Sequence, residues 1–175
     1  MRFFTIILAC LLFATTLHAQ KGKREPLTEA QIGKIADAGG DPNTRINLYA
    51  SFLDEHATVI KGLMNRIKSA ARVQRLDSEL LDFTALMDEL GQNLDTYSER
   101  HADLRKSLKS LTEATPRWHS LLRALPGEAG FDLERKDAIE SEEELADQAT
   151  RLLTEQTEYF RVHKDEAGQD RAEPK

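Results

Sequence analysis

The chain has 175 residues, 40% hydrophobic and 31% charged, with a formal net charge of −6 and one cysteine. That length suits one domain, and the composition excludes a wholly disordered or membrane-embedded polypeptide and, with a single thiol, any disulfide framework. The acidic balance argues against nucleic acid or an anionic membrane surface as a partner, because both reward clustered bases.

Residues 1–19 read as an export signal. Arg2 precedes an apolar run from Phe3 to Leu17, and Ala19 offers a small residue for cleavage. Leu17 is larger than a cleavage site prefers, so an uncleaved N-terminal anchor is the alternative, although the run is shorter than the roughly twenty residues of a bilayer span. Cleavage would remove Cys10 and Arg2, leaving a thiol-free chain with 23 basic against 30 acidic residues. Residues 20–27 are a basic, polar linker, residues 28–165 the helical domain and residues 166–175 a tail without an apolar face, expected to be disordered.

The first helix is predicted from Thr28 to Ala38 and stopped by Gly39 and Gly40. Asp41 and Pro42 open a second, as cap and first helical residue, running to about Arg72. Within it Ile46, Leu53, Ile60 and Ile67 recur every seventh residue, each followed four later by Ala50, Ala57, Met64 and Ala71, which is a heptad seam. A third helix carries Leu76, Phe83, Leu90, Tyr97, Leu104 and Leu111 in one column and Leu80, Met87, Leu94, His101, Leu108 and Thr115 in the other. Unbroken, it would be on the order of 55 Å long. The nine-residue step from Ile67 to Leu76 puts the two seams out of phase, which predicts a turn near residues 72–76 with Asp77 as the next cap. Thr115 and Pro116 restart a short helix that ends at Pro126 and Gly127, and Asp132 caps a last long helix to about Lys164.

Charge runs set the expected packing. Bases at the end of the second helix (Arg66, Lys68, Arg72, Arg75) meet acids at the start of the third (Asp77, Glu79, Asp82), and Arg105, Lys106 and Lys109 meet Glu140, Glu142 and Glu143 of the last. Both patterns imply antiparallel neighbours. The fold class is all-α, an elongated up-down-up bundle of three long antiparallel helices with two short ones and coiled-coil-like seams; the alternative is a dimeric coiled coil sharing those seams.

No HExxH, GxSxG, phosphate-loop or CxxCH pattern is present, and none of His56, His101, His119 and His163 follows a glutamate by three residues as di-iron bundles require. No catalytic residue, cofactor or metal is therefore expected. Tyr97 and His101, four apart on one seam, form either a ligand site between helices or a buried polar layer that fixes register. Trp118 either anchors a partner or covers the open end of the bundle.

Thr28 and Gln31 in "LTEAQ" suit a capping box, in which each side chain bonds the other residue's amide. Leu27, Thr28 and Gln31, in an exported helical chain, also resemble the LTxxQ family of periplasmic stress chaperones and envelope-stress adaptors. The resemblance covers five residues and the general architecture, and implies an elongated helical protein, often dimeric, that holds unfolded clients on a concave surface. The whole chain is also similar in style to exported bacterial helical proteins, a likeness that brings no activity. The expected function is that of an exported, periplasmic, non-enzymatic bundle acting through protein contacts in the cell envelope as adaptor or scaffold, with a homodimer as one possible state and the client-holding chaperone as the alternative.

Overall fold

A computed structural model of the protein describes residues 25–168. The expected signal, the first residues of the linker and the end of the tail lie outside the described residues. Five helices, and among the described residues no strand, make up the fold: α1 Glu29–Asp37, α2 Pro42–Met64, α3 Ala70–Glu99, α4 Arg105–Ala124 and α5 Asp132–Val162.

Local chemistry sets most of the boundaries. Thr28 accepts from the Gln31 amide at 3.3 Å while the Gln31 side chain accepts from the Thr28 amide at 2.9 Å, the reciprocal cap expected for α1. Gly39 takes the left-handed turn that follows (φ 61°). Asp41 caps α2 by accepting from Asn43 N, with Pro42 at the first helical position. Ser69 caps α3 by accepting from Arg72 N at 3.2 Å.

The four long helices form a square in the order α2, α3, α5, α4, with α1 laid along α2. Side-chain bonds give their directions. Tyr49 reaches Glu89 and His56 reaches Glu79, so α2 and α3 are antiparallel. His119 meets Glu142 while Gln156 meets the backbone of Leu104, so α4 and α5 are antiparallel too. Ser141 bonds Asp88 and Gln148 bonds Asp95, so α3 and α5 run parallel; Asn43 bonds Ser107 and Asp54 bonds Trp118, so α2 and α4 do as well. The α3–α4 connection therefore crosses the diagonal of the bundle. The inner faces of all four helices meet in one core containing Phe52, Leu53, Phe83, Leu90, Leu108 and Leu122. Phe131, fully buried in the α4–α5 loop, plugs one end. Gly130 beside it holds φ 105°, and a Cβ there would stand 2.6 Å from Val73, so the loop lies too close to α3 for a side chain.

Four sequence expectations are corrected. The third helix is not continuous to Thr115: α3 stops at Glu99, His101 turns through a left-handed conformation (φ 55°), and α4 begins at Arg105. The bundle consequently has four long helices rather than three, and two of its four neighbouring pairs are parallel. The heptad columns run through this reversal because Tyr97, Leu104, Leu108 and Leu111 all point into the same core from both sides of the turn. The α2–α3 turn lies at residues 65–69, earlier than the out-of-phase seams suggest, so Asp77 lies inside α3 instead of at its cap position and Ile67, a seam position on paper, is 91% exposed. Pro116 sits inside α4 rather than starting a helix; it is exposed, and burial of Ala114, Thr115 and Trp118 on the opposite face keeps the helix in line through it. In α5 the cap position is Phe131, and Asp132 is the first helical residue.

Candidate functional site

The residues of the opening motif come together beneath α1. The Gln31 Nε2 donates to Glu55 at 3.0 Å, so the side chain that caps α1 also fastens it to α2, helped by Lys34 over the Phe52 ring. Leu27, Thr28 and Gln31 border a cleft of about 410 Å³ shared with His56, Arg75 and Glu79. At its floor His56 Nδ1 lies 2.8 Å from a buried Glu79 oxygen, whose other oxygen holds Arg75 at 2.6 Å.

Tyr97 and His101 do not form one layer. Tyr97 is buried in the core, whereas His101 is carried out of the seam by the end of α3 and stacks on Tyr159, with ring centres 5.0 Å apart. The far face of Tyr159 stacks on His163 at 4.2 Å, giving an aromatic column at the end of the bundle beside a cleft of about 220 Å³. Trp118 is 1% exposed; its Nε1 donates to Asp54 at 2.8 Å and its ring meets Phe83 edge-on across the core. It is a core residue that joins α2, α3 and α4, not a surface anchor.

Two polar clamps escape sequence reading. At the α3–α4 turn, the buried Gln156 accepts from Leu104 N at 2.8 Å and donates to Ala102 O at 3.0 Å, while Asn43 donates to Asp103 O at 2.7 Å and accepts from Ser107 N. Amides from α5 and α2 thus supply from two sides the backbone partners that the diagonal turn lacks. At the opposite end the buried Arg72 donates through Nε to Leu63 O, capping α2, and grips Glu128 of the α4–α5 loop with both terminal nitrogens at 3.0 and 3.3 Å. That guanidinium, with Lys68, holds the Glu128 carboxyl below the usual carboxylate range. No motif marks these residues.

Two further acids are perturbed by burial. Desolvation raises Glu142, against the opposing bond to His119 at 2.7 Å. Tyr49 is pushed well above the usual phenol range, first by burial and then by Glu89, to which its hydroxyl donates.

A groove of about 430 Å³ runs between the parallel helices α3 and α5, bordered by Asp88, Gly91, Asp95, Glu144, Gln148 and Arg151. Its walls are joined by neutral donors on carboxylates: Ser141 to Asp88 at 2.6 Å, and Gln148 to Asp95 at 2.7 Å. Asp147 and Glu155 extend it along α5. Arg151 is its single base and lies 3.4 Å from Glu155; among the described residues no base comes within ion-pair distance of Asp88, Asp95, Glu144 or Asp147. Such a surface suits a cationic partner. Among the described residues no group of three or more His, Cys, Asp or Glu side chains is placed to hold a metal ion, and no helix is long and apolar enough to cross a membrane.

No protein-family model, no curated protein and no solved structure matches this chain.

Proposed function

We propose that the chain is an exported helical bundle that acts through protein contacts, as an adaptor or scaffold in the periplasm, with the signal at residues 1–19 removed and without catalysis, cofactor or metal. The observation that carries this reading is the α3–α5 groove: exposed carboxylates on both walls, joined across the seam by neutral donors and left without cationic partners. Like charges facing each other cost a bundle a few tenths of a kcal/mol per pair, and a cationic partner seated in the groove relieves that repulsion. Photo-crosslinkers placed at Gln92 in the groove and at Ser51 on α2 test this in the native cell. The expected result is capture of one or two defined proteins in fixed proportion from Gln92 only, lost on reversing Glu144 and Asp147 to lysine. Equal labelling from both positions would overturn the reading.

A second reading rests on the convergence of Leu27, Thr28 and Gln31 on the cleft beneath α1. The resemblance to LTxxQ chaperones then means that α1 lifts and clients bind where it lay. This reading predicts suppressed aggregation of unrelated unfolded proteins, and protection that disappears when a disulfide pins α1 to α2. No suppression by the unpinned protein would remove it.

A further inference from the structure

We propose that the cationic partner of the α3–α5 groove is a second copy of this chain, seated through the outer strip of α4. The inference rests on the protein-contact reading above and names the partner.

The fold sorts charge by edge. From Leu76 to Glu99 the chain of α3 contains no base, and its Asp88 and Asp95 join Glu144, Asp147 and Glu155 of α5 along one edge of the square. The opposite edge is formed by α2 and α4, and the outer strip of α4 displays Lys106, Lys109 and Arg117 against a single acid, Glu113, whereas Arg123 turns to α5 and pairs with Glu143 at 2.9 Å. Lys106 and Lys109 are exposed and enter no ion pair among the described residues, and Arg117 lies 3.4 Å from an exposed Asp54. The α1 helix packs on α2 and borders a cleft with α3, so among the described residues both the groove and the strip are uncovered. The two also match in length: Lys106 to Arg117 and Glu144 to Glu155 each span about 16 Å of helix.

Because strip and groove lie on opposite edges, a two-fold pair cannot satisfy both. The contact is heterologous, and each added copy presents a new groove, so assembly grows beyond a dimer. The net charge of −6 opposes approach from a distance, but that repulsion is screened beyond about 8 Å at physiological ionic strength, whereas the strip and groove pairs meet in contact. Association is therefore weak and strongly salt-dependent.

Sedimentation velocity of the purified protein tests this at about 0.02 M and about 0.5 M salt, between which the screening length falls from about 20 Å to about 4 Å. The expected result at low salt is a sedimentation coefficient that keeps rising with concentration and does so far less at high salt. Lys106→Glu with Lys109→Glu removes the strip, and Glu144→Lys with Asp147→Lys reverses the groove; each double variant alone should associate at least about tenfold more weakly. Mixed, the two should associate again, since each supplies the complement that the other reversed, and this recovery separates the proposal from a simple loss of fold. A wild-type protein that stays monomeric at low salt, a closed dimer, or no recovery on mixing would overturn the proposal. If the wild type is monomeric while Gln92 captures a different, basic protein, the second-copy assignment fails and the protein-contact reading stands; if Gln92 captures nothing, both fail.

Discussion

Replacing Gln156 by leucine isolates what holds the diagonal turn. The side chain is 6% exposed and serves two backbone groups, the Leu104 amide at 2.8 Å and the Ala102 carbonyl at 3.0 Å. Leucine fills a similar volume, so the cavity contribution is small and the loss is that of two orphaned polar groups. Each costs about 1–3 kcal/mol when buried; because the turn lies at the end of the bundle, where water has some access, the lower half of the combined range applies, about 2–4 kcal/mol. With a urea slope of about 2 kcal/mol/M, the midpoint should fall by about 1–2 M. Gln148→Leu is the control: it also removes bonds to a backbone carbonyl and a neighbouring side chain, but at a partly exposed site, and should cost less than about 1 kcal/mol. If Gln156→Leu costs no more than Gln148→Leu, the turn is held by packing of Leu104 and Leu108 alone and the clamp argument is wrong.

Glu128 and Glu142 give opposite pH signatures. Bonding to Arg72 depresses the folded-state pKa of Glu128 below its unfolded value, so its contribution is present above the ordinary carboxylate range and is lost as pH falls through it. Glu128→Gln should lower thermal stability at neutral pH and show a shallower acid-induced decline than wild type; parallel curves would refute the role of the Arg72 grip. For Glu142 burial raises the folded-state pKa, so the unfolded chain gives up that proton first and stability falls as pH rises through this window. Glu142→Gln keeps an acceptor for His119 without the buried charge. It should leave melting temperature at pH 7 equal or higher, with the difference shrinking below about pH 4; a clear loss at pH 7 would show that the His119 bond outweighs desolvation.

The all-helical class, the capping box, the Asp41–Pro42 start and the existence of a reversal between the two seams are legible in the sequence, because each rests on local chemistry or on a period that only one fold class shares. The break at residues 100–104 is not. It contains neither glycine nor proline, and the heptad column passes through it since Tyr97 and Leu104 line the same core from helices of opposite direction. What makes the turn stable lies far along the chain, in Asn43 and Gln156, and no window of sequence holds both ends of that arrangement. Trp118 is the converse case: burial is the favoured expectation for a lone tryptophan on an amphipathic helix, and the structure adds its partner, Asp54. The charge runs correctly imply that α2 opposes α3, but the antiparallel pairing they imply for the third and last helices is wrong, since α3 runs parallel to α5 and the bases at 105–109 open α4, and they misassign partners. Arg72 bonds Glu128 of a loop rather than an acid of α3, and Arg105 lies on Asp103 and the Phe160 ring, at the other end of α5 from Glu140 to Glu143.

The diagonal turn also decides where charge is left over. Had α3 and α4 been neighbours, the acids of one and the bases of the other would have been brought within reach; crossing the diagonal instead sets α3 beside α5, acid against acid. Ser141 and Gln148 hold that seam without neutralising it, so the repulsion persists in the free protein. If the groove exists for a cationic partner, stability and function pull in opposite directions there. Glu144→Gln with Asp147→Asn removes two like charges from an exposed seam while keeping size and hydrogen-bonding capacity, and should raise monomer stability slightly, by about 0.3–1 kcal/mol in urea titration at low salt, while weakening partner capture from Gln92. A variant that loses stability would mean that these carboxylates serve the bundle itself, and the groove would lose its claim as a binding surface.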